Sequence, residues 1–197
     1  DSRSTIWQLM PVTAGRNTYE GNINIFTQGP PPSAAISSEL LNAFSSKDQR
    51  KAQWIKAVTN GSSTWYHPYK YKKQSSTAAS VEYSIVLRLS EQYLIRAEAR
   101  AHYGDLIGAK EDLNRIRNHA GLENTAALTS SEIIDAVLAE RRLELFTEHG
   151  HRFFGLKRTG RLNTTLSSVK PQWKNTSRKL PLPESELLLN TNLNPQN

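Results

Sequence analysis

The chain has 197 residues, a length that suits one domain or one large piece of a bigger domain and argues against two complete enzymatic domains. Hydrophobic residues make up 37% and charged residues 22%, enough for a modest core, and the absence of cysteine excludes a disulfide framework, a thiolate metal site and a cysteine nucleophile. The net charge of +7 is concentrated, with +6 on residues 47–73 and +4 on residues 141–161.

The first eighty residues read as loop-rich. IWQLMPV alternates weakly, the pattern of a short strand, and GRNTYEGNINIFTQGPPPSAA is too dense in Gly, Asn and Pro for a continuous helix. A helix begins near Ser37 or Ser38, where serine precedes Glu39, Leu40, Leu41 and Phe44, and Trp54, Ile55 and Val58 fit another helical turn. NGSSTWYHPYKYKKQSSTAAS has turn residues at both ends and an aromatic, β-prone centre, so it reads as an exposed hairpin or an ordered loop.

From Val81 onward the character is helical. Leu94, Ala97 and Ala101 fall on one face of SEQYLIRAEARAHYG, and Gly104 and Asp105 end that helix and cap the next, whose Leu106, Ala109, Leu113, Ile116 and Ala120 repeat the spacing. So short a connection makes the two helices antiparallel neighbours, with alanines allowing close approach. The run A-E-A-x-A-x-x-G-D-x-x-x-A is close to a tetratricopeptide-type hairpin, although one hairpin cannot bury its outer faces alone. A third helix opens on the capping box Thr129-Ser130-Ser131-Glu132 and continues towards Gly150. After Gly160 the chain is mostly loop, with a short helix at PESELLLN. The expected fold is mainly α, with tetratricopeptide-like hairpins, long ordered loops and at most a small β-hairpin.

The densest charged constellation is ERRLELFTEHGHRFFGLKRTGR. Glu140 and Glu144 stand at i, i+4 and so ~6 Å apart on one helix side, superficially the spacing of a carboxylate pair in a retaining glycosidase. Arg141, Arg142, Arg152 and Arg158 nearby favour a structural ion network, because flanking arginines lower carboxylate pKa values whereas a catalytic acid needs a raised one. Glu148, His149 and His151 lack the further ligand a metal site needs, and histidines stabilising a helix C-terminus near Gly150 explain them more simply. No G-x-S-x-G, phosphate-cradling loop or H-E-x-x-H occurs, so the sequence carries neither an enzyme signature nor a cofactor motif.

Lysines among Trp54, Trp65, Tyr66, Tyr69 and Tyr71 are compatible with single-stranded nucleic acid, but they are scattered and no recognised motif accompanies them; a solvated basic surface is the preferred reading. Sugar rings require flat aromatic platforms beside amide or hydroxyl groups. Tyr19 among Asn17, Asn22 and Asn24, Trp65 and Tyr66 among Asn60, Ser62, Ser63 and Thr64, and Trp173 in KPQWKNTSRK are therefore the candidate ligand residues.

Taken in order, SELLNAFSSKDQRKAQWI, HPYKYKK, EYSIVLRLSEQYLIRAEARAHYGD, AKEDLNRIRNHAG, ERRLELFTEHGHRFFGLKRTGR and LPLPESELLLNTNLNPQN resemble the C-terminal region of the SusD/RagB family. The blocks cover nearly the whole chain and are specific together rather than singly; the ending Asn-Pro-Gln-Asn resembles the family's usual terminus.

The resemblance implies a non-enzymatic, surface-exposed outer-membrane lipoprotein. It would bind glycans, or in some branches peptides, as the nutrient-binding component of an uptake system with a SusC-like TonB-dependent transporter. It also implies that Glu140, Arg141, Glu144, Arg152 and Arg158 are structural, and that Gly155 departs from the pattern, since the family most often has an acidic residue there. The family normally carries a signal peptide, a lipid-modified cysteine and an N-terminal helical region. The expectation is thus a C-terminal region, loop-rich over residues 1–80, helical over residues 81–160 and closing with a loop and short helix over residues 161–197. It would be attached to the membrane only through an anchor outside this chain. The rival expectation from another class is a helical-repeat scaffold that binds a protein and no small ligand.

Overall fold

The structure, a computed structural model, describes residues 4–193, so the terminal Asn-Pro-Gln-Asn motif lies outside the described residues. Two compact units divide between His149 and Gly150.

In the first unit, the expected hairpin is present as α4 (Leu89–His102) and α5 (Leu106–His119), joined by three residues and packed closely with α6 (Ser130–Glu144). The remaining elements of this unit, in chain order, are β1 (Thr5–Leu9), α1 (Tyr19–Asn24), α2 (Ser38–Leu41), α3 (Gln49–Trp54), β2 (Ile55–Asn60), β3 (Ser63–Pro68) and β4 (Ser84–Arg88). Gly104 makes the turn between α4 and α5 at a φ of +85°, a region that only glycine occupies without strain. Asp105 then caps α5 by accepting from the Gly108 amide at 2.9 Å. At the far end of α5, the Leu122 amide reaches back to Arg117 O and the Gly121 amide to Asn118 O, a Schellman closure with Gly121 in the left-handed region. The capping box at Thr129 forms as read, with both Thr129 and Glu132 side chains engaged.

Leu94, Ala97, Ala101, Ala109, Leu113, Ile116, Ile133 and Val137 form one buried cluster where α4, α5 and α6 meet. Each fully buried leucine or isoleucine contributes about 1.5–3 kcal/mol. The alanines let α4 and α5 approach, and Arg96 and Arg100 clip the pair by converging on Asp112 at 2.7–2.9 Å. Ser130 Oγ donates to Ala101 O at 2.6 Å, fastening the start of α6 to the end of α4.

A second cluster of Phe44, Ile55 and Phe146, flanked by Trp54, Tyr66 and Leu143, lies under the β2–β3 hairpin. Here the structure differs from the sequence reading. The helix carrying Trp54 stops there, and Ile55 and Val58 belong to β2, paired antiparallel with β3 from Ile55↔Pro68 to Asn60↔Ser63. β-Branched residues pack well on a pleated surface, and a partner strand eight residues away outcompetes one more helical turn. A second strand pair joins β1 to β4 antiparallel, with register shifts beside Trp7. β4 falls in the stretch read as helical from Val81; its Ser-Ile-Val-Leu-Arg run is committed by pairing with a strand far away in sequence.

Side chains fasten the intervening loops. Asn17 Nδ2 donates to Ser75 O and Thr77 Oγ1, while its Oδ1 accepts from the amides of Val81 and Glu82. Glu82 in turn accepts from the amides of Lys72 and Lys73.

α6 ends at Glu144 rather than near Gly150, and Thr147 and His149 adopt positive φ. In the second unit, Gly150, at a φ of +69°, is the N-cap of α7 (His151–Arg158). The expected histidine-stabilised helix C-terminus is therefore replaced by a turn that starts a new helix. α8 (Leu162–Leu166) follows, then a 3-10 turn at Asn175–Arg178, α9 (Glu184–Leu189), which is the short helix expected at PESELLLN, and a final 3-10 turn at Thr191–Leu193.

Candidate functional site

Strand alternation sorts the β2–β3 hairpin into two faces. Ile55, Ala57 and Thr59 share one face with Pro68, Tyr66 and Thr64; Lys56, Val58 and Asn60 share the other with His67, Trp65 and Ser63. The first face carries Ile55 and Tyr66 into the Phe44–Phe146 cluster, so Tyr66 is a packing residue. The second holds Trp65, half-buried and fixed in place. The Gly29 backbone lies so close to the indole that a Cβ there would fall 2.2 Å from Trp65 Cζ3, and Asn60 Nδ2 holds that loop by donating to Gly29 O at 2.8 Å. Phe26 packs beside this point against His67, centroids 5.0 Å apart. Asn60 and Ser63, on the same face as the indole, remain exposed, whereas Thr64 lies on the other face with its hydroxyl 3.0 Å from that of Thr59. This is an aromatic platform of fixed orientation with polar groups at its rim.

The other candidates lie elsewhere. Tyr19 opens α1 and is 72% exposed. Trp173 belongs to the second unit, where its indole N–H donates to Asn163 Oδ1 at 3.1 Å. A cavity of about 20 Å³ lined by Glu20, Gly21, Tyr71 and Glu148 has room for a water but not for a sugar ring.

The carboxylates of α6 are committed to arginines, though mostly not those near in sequence. Arg50, only 4% exposed, grips Asp48 with two parallel bonds of 2.8–2.9 Å and places Nη1 2.6 Å from Glu140 Oε1 and 2.9 Å from Glu144 Oε2. The Glu140 contact is an ion pair outside hydrogen-bond alignment. Arg88 reaches Glu144 Oε1 at 2.6 Å and Glu148 Oε2 at 2.9 Å, and Arg117 approaches Glu140 Oε2 at 3.3 Å. Arg141 pairs with Glu91 on α4 at 3.1 Å, and Arg142 donates to Glu39 O. Arg152 and Arg158 lie on α7 in the second unit.

Lys70, within the segment read as a solvated basic surface, turns inward. Its ammonium donates to Glu144 O at 2.7 Å, to Phe146 O at 3.0 Å and to Glu148, beneath the rings of Phe146 and Trp54. Burial pulls Lys70 down to about 8 against the pull of Glu148. Burial also pushes Glu144 up, but Arg88 and Arg50 more than offset it and hold the carboxyl below its usual range; at Glu140 burial prevails over Arg50 and the pKa is raised. Glu144, locked between the guanidiniums of Arg88 and Arg50, is held as a carboxylate, and the cluster ties segments far apart in sequence to α6. Arg50, Arg88 and Lys70 escaped the sequence reading because their partners are far along the chain; the one signal was the presence of Arg50 and Lys70 in the first basic segment. Among the described residues no group of histidine, aspartate and glutamate is arranged to hold a metal ion, and no helix is long and apolar enough to cross a membrane.

Comparison with known proteins decides the family. The family model described as the SusD family matches residues 49–197. The chain belongs to the SusD family. Solved structures agree on the fold. A SusD superfamily protein from Parabacteroides distasonis matches with a TM-score of 0.74 at 19% identity, over 98% of this chain and 49% of that one. Surface glycan-binding protein A from Bacteroides thetaiotaomicron matches at 0.71 and 20% identity, over 98% of this chain and 51% of that one. A SusD superfamily protein from Bacteroides vulgatus is 30% identical with a TM-score of 0.58, over 77% of this chain and 35% of that one. The chain thus spans about half the length of these SusD relatives, or less. None of the curated proteins compared with it matches.

Proposed function

We propose that this SusD-family chain is the non-catalytic, saccharide-binding portion of a nutrient-capture protein at the outer face of an outer membrane, held there by a lipid anchor outside this chain and working with a SusC-like TonB-dependent transporter. Family membership and the shared fold with surface glycan-binding proteins support the reading. The observation that carries it is Trp65, an indole immobilised against Gly29 with Asn60 and Ser63 on the same face, the pairing of stacking surface and hydrogen-bonding rim that a sugar ring requires. A rigid platform loses little entropy on binding, so little of the stacking energy goes to ordering the site.

The test is retardation of the protein in native gels cast with a panel of polysaccharides. At least one should slow the wild-type chain and not Trp65→Ala, while Tyr66→Phe, on the packed face, migrates as wild type. Equal retardation of Trp65→Ala with every polysaccharide defeats the assignment.

A second reading, a helical scaffold that binds a protein, is favoured by the β1–β4 pair, where Ile6, Trp7, Leu9 and Met10 are each more than half exposed. Binding of a protein partner that is lost with Trp7→Ser and Leu9→Ser, in a chain that binds no saccharide, would favour it.

A further inference from the structure

Beside the Trp65 platform the hairpin carries a second, charged feature. Lys56 stands directly across from His67 and is therefore the diagonal neighbour of Trp65 on the same face, ~7–8 Å away. Its ammonium lies 5.0 Å from the centroid of the Tyr69 ring, and the Lys72 ammonium lies 4.0 Å from the same centroid. Both lysines are exposed. Lys72 donates to the carbonyls of Gln53 and Tyr69, while Lys56 has the ring alone. Among the described residues neither ammonium has a carboxylate within ion-pair distance. The nearby Glu82 spends both oxygens on the amides of Lys72 and Lys73. Two like charges on one aromatic ring repel, and burial, with Lys56 adding to it, lowers the Lys72 pKa against the opposing pull of Glu82. An anion within reach of both charges relieves that repulsion.

We propose that the saccharide bound at Trp65 is acidic, with a carboxylate or sulfate seated on Lys56 and Lys72 at Tyr69 while an adjoining ring lies on the indole. This rests on the saccharide-binding reading above and deepens it. A neutral sugar would use only the indole and the polar rim, leaving both ammonium charges without a counter-charge. The same basic and aromatic chemistry suits single-stranded nucleic acid, which the test must separate.

The experiment is calorimetric titration of the full chain with four probes of matched length: an oligogalacturonate, a chondroitin sulfate oligosaccharide, a neutral maltooligosaccharide and an oligothymidylate. At least one acidic saccharide should bind about fivefold more tightly than the neutral one at low salt, the size expected of two screened charge contacts, and the advantage should shrink at high salt. The carboxylate and sulfate arms identify the group. Lys56→Gln with Lys72→Gln should erase the advantage and leave neutral binding within about twofold, whereas Lys170→Gln with Lys179→Gln, the same change in net charge on exposed residues of the second unit, should leave it intact. Thermal melts establish that each pair of substitutions keeps the fold. Equal affinity for acidic and neutral saccharides, or loss of the advantage in the Lys170/Lys179 control, overturns this inference while the saccharide reading stands. Tighter binding of the oligothymidylate than of any saccharide, or binding of none of the four, overturns both.

Discussion

Arg50 Nη1 stands 2.9 Å from Glu144 Oε2 across 94 residues of sequence, in a site from which water is almost excluded. Removing one partner of such a pair leaves the other buried and uncompensated. Glu144→Gln should therefore cost about 3 kcal/mol in urea denaturation. Glu140→Gln should cost less by about 2 kcal/mol, because burial already works against the charged form of Glu140 and in favour of a neutral side chain. Equal costs would mean that the two carboxylates are equally ionised in the fold.

The same cluster sets a pH dependence at both ends of the scale. Glu144 is depressed in the folded state, so its contribution is present above the ordinary carboxylate value and lost as pH falls through the folded one. Acid unfolding should accordingly begin below the usual carboxylate range and shift to higher pH in Arg88→Met, which removes one of the two guanidiniums that hold that group down. Lys70 is also depressed, to about 8 from 10.5, so between those values the unfolded chain binds the extra proton and stability rises with pH. The urea midpoint of wild type, measured relative to Lys70→Met, should climb across that window.

The close contact of α4 with α5 depends on side-chain size. Ala97 and Ala109 are fully buried, and Ala97→Leu should overpack the interface at a cost of about 1–3 kcal/mol. Leu113→Ala should open a cavity costing about 2–5 kcal/mol, because it takes a fully buried side chain out of the cluster that α4, α5 and α6 share. Thermal denaturation followed by circular dichroism measures both.

Gly29→Ala places a methyl group where the Trp65 ring now lies, so the indole must turn or the loop must retreat. The expected result is a shift in tryptophan emission and a loss of saccharide retardation comparable to Trp65→Ala, with a thermal midpoint lowered by only a few degrees. Unchanged emission would show that the platform is not held by this contact.

Gly155 lies in the middle of α7, and a Cβ there meets nothing within 4 Å. Gly155→Ala should add about 0.5–1 kcal/mol by removing backbone freedom from the unfolded chain, read as a rise of a few degrees in thermal midpoint.

The helical hairpin was legible because its signals are local: spaced apolar residues, Gly104 with Asp105 at the turn, and a capping box at Thr129. β1 and β4 are five residues each and exist only because they pair across the long loops, a relationship no window of sequence contains. Trp65 and Tyr66 could be nominated together from composition, but only the strand register sends Tyr66 into the Phe44–Phe146 cluster and Trp65 to the opposite face, against Gly29. Arg50 and Lys70 read as surface charge because burial of a cation is decided by its partners, and those lie in another segment. The ion network illustrates both sides, since Glu140 and Glu144 were visible as a helical pair while Arg50, Arg88 and Arg117 were not.

Asn17 spends its amide on four backbone and side-chain groups of residues 75–82, and Glu82 passes the connection on to residues 72 and 73. The turns between such rivets carry few obligations of their own. Their lettering can be rewritten while the frame stays as it is, which is how a protein only 19% identical to this one retains the same architecture.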